Sequence, residues 1–221
     1  MQLPPLFRAE AHGDPLATAV SAGQAGADPG LVTHAIGSER LCAAILFAPE
    51  VPPDEACVVL PLCAVGFQNA LGALAPPELA VHLGWDGAIR LNGAEAGRLR
   101  LHGDDDWLVV SLTLDLLPRG EGGDDPDRTA LYAEGCGEVA PDDLIGAWVR
   151  HTLTWLDTWA HEGLGPLVRE WSGLWDERGR TVTAAGLRGE ALGVADGLAL
   201  VLKTADGPRT LPLTALLETV P

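Results

Sequence analysis

The sequence predicts an α+β fold in which a mixed, mainly antiparallel sheet is covered by helices and followed by a small C-terminal β-barrel. Between Leu79 and Leu114, short apolar segments alternate with tight turns, which favours antiparallel strands. Long helical patterns precede and follow this region. Beyond Trp175 the pattern changes to short strands and turns, which is typical of a small barrel.

The first helix is predicted to begin at Asp14-Pro15, since an aspartate at the N-cap and a proline at the first helical position are both favourable there. Leu31 to Ala35 and Leu41 to Phe47 are predicted strands. Asp54 to Leu74 is a predicted helix, bent near Pro61. Its apolar run is interrupted by polar residues, so we expect a core helix and not a membrane span.

Four strands are predicted to follow as an antiparallel meander, with a hairpin turn at Asn92-Gly93. They are Leu79 to Leu83, Ala88 to Leu91, Ala94 to His102 and Trp107 to Leu114. The Gly- and Asp-rich stretch from Arg119 to Arg128 is predicted to be a surface loop.

Helix is predicted to resume at Pro141 and again from Pro166 to Leu174. An apolar stripe on the first of these helices predicts that it packs on the sheet. The stripe consists of Leu144, Trp148, His151, Trp155 and Trp159.

The remaining chain predicts four strands and a domain boundary near Asp176 to Arg180. The predicted domains are residues 1–176 and residues 177–221. The strands are Thr181 to Leu187, Glu190 to Val194, Leu198 to Thr204 and Arg209 to Leu213.

The composition is that of a globular protein, with 47% hydrophobic residues and a net charge of −17. Such an acidic chain lacks the basic face that nucleic acids and anionic membranes require. The start of the sequence has no pattern of a secretory signal. The four cysteines do not form a disulfide framework, which favours reduced thiols and a cytoplasmic location. The histidines have no metal-ligand spacing.

Several segments together resemble the biotin–protein ligase and lipoate–protein ligase family. The central one is VHLGWDGAIRLNGAEAGRLRL from Val81, where the family reads approximately VKWPNDVLVDGRKLAGIL. The segments beginning at Trp107, Thr129 and Trp155 resemble later family motifs in the same order. The segment from Gly186 resembles the family's C-terminal SH3-like domain.

The resemblance implies a catalytic domain of the class II aminoacyl-tRNA synthetase type. It also implies an enzyme that uses ATP with Mg²⁺ to form an acyl adenylate of biotin or lipoate. The acyl group then passes to a lysine of a biotinyl or lipoyl carrier domain, which would be the protein partner.

Two departures from the family concern the residues that would carry this chemistry. The family's loop GRGRRGR corresponds to an interval that keeps Gly37 and Arg40. Its catalytic lysine corresponds to Ala94 or Glu95, neither of which stabilises phosphate charge. A catalytically silent relative, acting as a small-molecule sensor or carrier-domain binding module, is therefore the alternative.

The candidate ligand-binding residues combine cations with small or aromatic residues near the resembling hairpin. They are Arg40, Trp85, Ala96, Gly97, Arg98 and Arg100. Alternation along the strand predicts that Ala96, Arg98 and Arg100 share one face. Gly97 lacks a Cβ, so a ligand could approach the backbone there, whereas Trp85 is as well explained as a core aromatic.

Acyl transfer through Cys136 is a third hypothesis. Glu134 and Glu138 would raise the pKa of its thiol, so the sequence favours a structural role for this cysteine.

Overall fold

The computed structural model describes residues 1–118 and 125–218, and its main element is an eight-stranded sheet. The strands are β1 (Arg8–Ala11), β2 (Leu31–Ile36), β3 (Arg40–Phe47), β4 (Val81–Leu83), β5 (Ala88–Leu91), β6 (Ala94–Gly103), β7 (Leu108–Asp115) and β12 (Leu217–Glu218). Seven of them lie in the order β1-β2-β3-β7-β6-β5-β4, and β12 pairs with β6. All neighbours are antiparallel except the pairs β1–β2 and β12–β6. The predicted mixed, mainly antiparallel sheet is therefore confirmed.

The N-terminal helix forms as predicted, and one strand was missed. Helix α1 (Pro15–Gln24) begins after Asp14, whose side chain accepts a hydrogen bond from the Ala17 amide at 3.0 Å. Strand β1 was missed because all four of its residues are exposed and show no apolar alternation. Parallel pairing with β2 is what holds it.

The central helices differ from the prediction at one point. The break falls between α2 (Pro53–Ala56) and α3 (Val59–Leu74), and Pro61 lies in the first turn of α3, where a proline is tolerated. Over the described residues, the Pro53–Leu74 stretch is apolar enough by composition to cross a membrane. However, 72% of its most apolar window is buried inside the fold. It is a core helix, as predicted.

Two helices form a second layer over α3. Helix α4 (Pro141–Glu162) packs mainly on α3 and on α5 (Gly165–Leu174), and α3 lies between α4 and strands β4, β6 and β7. The prediction that α4 packs directly on the sheet was therefore wrong. Trp148 shows the reason, because its fully buried ring donates from Nε1 to the Cys63 carbonyl of α3 at 2.9 Å. An apolar stripe fixes which helix face is buried but not which partner buries it.

The C-terminal strands form a separate four-stranded sheet in the order β11-β10-β9-β8. They are β8 (Thr181–Ala184), β9 (Leu187–Val194), β10 (Leu200–Thr204) and β11 (Gly207–Leu211). The predicted turn at Arg188-Gly189 is in fact at Ala185-Gly186, where both residues have positive φ.

The predicted small SH3-like barrel is not confirmed, because the C-terminal sheet is not closed over the described residues. After β11 the chain passes through a 3-10 turn at Leu213–Leu216, and β12 then pairs with β6 of the main sheet. The segment that could have closed the barrel is thus paired elsewhere. The division into residues 1–176 and 177–221 stays a prediction.

Candidate functional site

One face of the main sheet lies under α3. On the opposite face, α1 is the helix that covers part of the sheet among the described residues, and it contacts β2, β3, β6 and β7. Side chains alternate between the two faces of a strand, and the chain neighbours of Cys42, Thr113 and Arg98 belong to the core under α3. These three residues therefore lie on the opposite face of the sheet. The register places these three side by side on β3, β7 and β6. They are half-buried, and Arg100, two residues further along β6, is exposed. We call this region the uncovered face.

A chain of ion pairs runs along the uncovered face, and Asp115 links two of its arginines. Its side chain is 4% exposed and lies 3.2 Å from Arg40 Nε and 3.2 Å from Arg128 Nη2. The predicted ligand-binding residue Arg40 therefore already has a carboxylate partner. Asp115 was missed in the sequence because nothing local links the end of β7 to Arg128.

Glu95 continues the chain, and it occupies one of the two positions where the resemblance places a catalytic lysine. Its carboxylate lies 3.0 Å from Arg98 Nη2 and 3.7 Å from Arg128 Nη1. The other nitrogen of Arg98 lies 2.5 Å from Asp86 Oδ2. Burial lowers the pKa of Arg98, but the charges and hydrogen bonds of Asp86 and Glu95 outweigh it and raise that pKa overall. Among the described residues, this ion-pair chain contains three arginines and three carboxylates.

A cleft of about 230 Å³ opens beside β6, at the rim of the uncovered face. It lies where β5 stops pairing, at Arg98, and before β12 begins to pair, at Leu101. Its apolar lining combines Leu60, Leu99 and Leu101, which are at most 2% exposed, with the partly exposed Leu216 and Leu217. Polar groups come from Asp86, Arg98, Arg100 and Glu218.

Arg100 and His102 hold the Glu218 carboxylate at one end of the cleft. Arg100 Nη1 lies 3.0 Å from Glu218 Oε1, and His102 Nδ1 lies 3.4 Å from Oε2. The buried His102 ring also lies 3.0 Å from Ser111 Oγ through Nε2. Glu218 was not predicted from the sequence, because it is 118 residues from its arginine partner.

Two other predicted site residues, Ala96 and Gly97, lie in β6, and their side-chain positions face protein atoms. Gly97 packs against β7, and a Cβ there would come within 2.4 Å of the Thr113 carbonyl oxygen. Ala96 is the extra residue of a bulge, since Gly97 pairs with Ile89 and Glu95 with Arg90. The bulge interrupts the predicted alternation, so the fully buried Ala96 belongs to the core under α3.

Trp85 is buried at the junction of the main sheet and the C-terminal sheet. Its indole Nε1 donates to the Leu198 carbonyl at 2.8 Å, and its amide donates to Glu177 at 3.0 Å. The ligand-binding roles of all six predicted residues stay predictions.

The thiols differ in their surroundings, and none is disulfide-bonded. Cys136 is 1% exposed, and burial followed by the Glu134 charge raises its pKa. The structural role favoured for Cys136 is therefore supported. Burial likewise raises the pKa of Cys42 on the uncovered face, although Arg40 opposes that shift. In residues 1–118 and 125–218, no group of three or more His, Cys, Asp and Glu side chains is arranged to hold a metal ion.

The lowered pKa values of two histidines predict how the stability of the fold depends on pH. Burial lowers the pKa of His102, with Glu218 opposing and Arg100 adding to that effect, and burial followed by Arg150 lowers the pKa of His151. The unfolded chain therefore binds protons more readily, and stability should fall as the pH drops below about 6.5. His102→Gln should flatten this dependence in urea unfolding between about pH 7.5 and 5.5. His161→Gln is the control, since that side chain is 74% exposed. An unchanged slope in His102→Gln would contradict the assignment.

The comparisons with known proteins agree with this architecture. The Biotin/lipoate A/B protein ligase family matches residues 3–173. A biotin protein ligase-like protein of unknown function from Silicibacter sp. TM1040 is 47% identical, with 98% of this chain and 99% of that chain covered and a TM-score of 0.91. No curated protein matches the chain significantly.

More distant structures share the fold. The biotin protein ligase from Aquifex aeolicus in complex with biotin and ATP is 13% identical, with 93% and 94% of the two chains covered and a TM-score of 0.70. The biotin protein ligase from Leishmania major in complex with biotinyl-5-AMP is 17% identical, with 94% and 99% covered and a TM-score of 0.57. The family match covers well over half of the sequence, so the chain belongs to the biotin/lipoate A/B protein ligase family.

Proposed function

We propose that this protein binds a small acyl carboxylate of the biotin or lipoate type in the cleft beside β6. The observation that carries the proposal is an apolar lining, formed by buried leucines of α3 and β6 and by the partly exposed Leu216 and Leu217, next to guanidinium groups of Arg98 and Arg100 at the rim. Guanidinium groups are well suited to carboxylates because they can donate two parallel hydrogen bonds. Family membership supports the same ligand class.

Two candidate functions share this binding step. In the first, ATP and the bound acid form an acyl adenylate, and the acyl group passes to a lysine of a carrier domain. In the second, the protein binds the acid without activating it and acts as a sensor or as a module that binds carrier domains.

The ion pairs of the uncovered face bear on both candidates. A triphosphate needs cations that are free to meet it, because those charges stabilise the phosphates in the transition state. The four arginines described on and beside this face, Arg40, Arg98, Arg100 and Arg128, are each paired with a carboxylate. Glu95, at a position expected to carry lysine, adds negative charge. A triphosphate bound here would therefore have to displace these carboxylates, as an incoming acid has to displace Glu218 at Arg100.

A thermal-shift titration with biotin, lipoate and octanoate tests the binding step. A ligand present at 100 times its Kd should stabilise the fold by about 2.7 kcal/mol, and Arg100→Ala should weaken this effect. Arg169→Ala, which removes an exposed arginine of α5, is the matched control and should behave as the unmutated protein. Absence of stabilisation by all three acids would overturn the proposal.

ATP–pyrophosphate exchange with the same acids separates the two candidates. Exchange that depends on the acid, and that is lost when Arg98 and Arg100 are both replaced, would identify an enzyme. Stabilisation by an acid without exchange would identify a binding protein.

A further inference from the structure

The C-terminal segment of residues 213–218 forms one side of the cleft. Ala215, Leu216, Leu217 and Glu218 line it, and over the residues that the structure describes β12 forms two pairs with β6, at Leu101 and His102. A pairing this short depends on side-chain contacts as well as on backbone hydrogen bonds. Separation of the segment from β6 would leave the pairing of β6 with β5 and β7 in place.

The carboxylate of Glu218 has the environment that a bound acid would need. Its two oxygens are met separately, one by Arg100 Nη1 at 3.0 Å and the other by His102 Nδ1 at 3.4 Å. The Ser111 hydroxyl can donate to His102 Nε2 at 3.0 Å, which leaves the Nδ1 proton for the carboxylate. Arg100 also borders the cleft, so a carboxylate entering from the cleft reaches the same guanidinium.

The ion pair between Arg100 and Glu218 is weak enough for another carboxylate to replace Glu218. The side chains of Glu218 and Arg100 are 49% and 57% exposed, and ion pairs in such positions contribute little because water screens them. His102, by contrast, is 5% exposed and fixed by Ser111, so it stays in place when the carboxylate changes.

We propose that Arg100 and His102 form the carboxylate-recognition site of the cleft and that Glu218 occupies it as an internal competitor. This inference rests on the proposed binding of an acyl carboxylate. An incoming acid displaces the Glu218 carboxylate, and residues 213–218 then separate from β6. The C-terminal segment thereby sets the affinity of the site and reports its occupancy.

Calorimetric titration of the full chain with octanoate and with biotin tests the competition. Glu218→Gln preserves the size of the side chain and removes its charge, so it should raise the affinity by about fivefold. Adding Arg100→Gln should abolish that gain. Glu190→Gln is the matched control, because Glu190 is 45% exposed and lies 3.8 Å from Lys203 in the C-terminal sheet. It should leave the affinity unchanged.

Hydrogen exchange supplies an independent readout. Octanoate or biotin should increase amide exchange in residues 213–218 of the unmutated protein, since binding releases the segment. Equal affinities for the unmutated protein and Glu218→Gln, or an equal gain in Glu190→Gln, would overturn the competitor role and leave the proposed function standing. Reduced exchange on binding would do the same. Failure of every variant to bind either acid would overturn both proposals.

Discussion

Glu177→Ala should destabilise the protein by about 3 to 5 kcal/mol, because it removes one partner of a buried, charged hydrogen-bond cluster. Glu177 is 7% exposed. Its carboxylate lies 3.0 Å from Arg90 Nη2 and accepts hydrogen bonds from the Trp85 amide and the Trp175 indole, both at 3.0 Å. Arg90 keeps a second partner, Asp176, at 3.3 Å. The two tryptophan N–H groups would be left without theirs, at a cost of about 1 to 3 kcal/mol each.

Urea unfolding of the variant measures this loss. Asp157→Ala is the control, because Asp157 is 73% exposed and pairs with His161 at the surface of α4. It should change the free energy of unfolding by no more than about 0.5 kcal/mol. Should Glu177→Ala lose less than about 1 kcal/mol, the cluster would not be the tie between the main sheet and the segment after α5 that its geometry indicates.

Gly97→Ala should cost about 2 to 3 kcal/mol of stability through overpacking. The added Cβ would lie 2.4 Å from the Thr113 carbonyl oxygen and 3.0 Å from the Leu114 Cα. Both atoms belong to the backbone of β7, in the middle of the sheet, so neither can move without shifting that strand. The structure thus predicts that this glycine lets two strands approach each other.

Denaturant unfolding combined with acid titration separates this role from the ligand-binding role predicted by the sequence. Gly137→Ala is the control, since a Cβ there meets nothing within 4 Å. If Gly97→Ala kept its stability but lost binding of biotin and octanoate, a ligand would be what approaches the glycine. The packing explanation would then be wrong.

The candidate site could be predicted only in part. Arg98 and Arg100 were found because the strand and its family motif are local features of the sequence, and both residues line the cleft. Their partners were not found. Glu95 stands three residues before Arg98, but its contact with Arg128 requires the 125–129 segment to pair beside β6. Glu218 reaches Arg100 only because the C-terminal segment returns to the main sheet.

The sequence by itself determined the elements that depend on a few neighbouring residues. Asp14 caps α1, and Asn92-Gly93 forms its hairpin with φ of 51° and 96°. These features follow from backbone geometry and side-chain hydrogen bonds within a single turn. Tertiary structure alone decided that α4 packs on α3, that the C-terminal sheet stays open, and which carboxylate each arginine meets. Such outcomes depend on which strand edges and helix faces remain free after the chain has folded, and no local pattern encodes them.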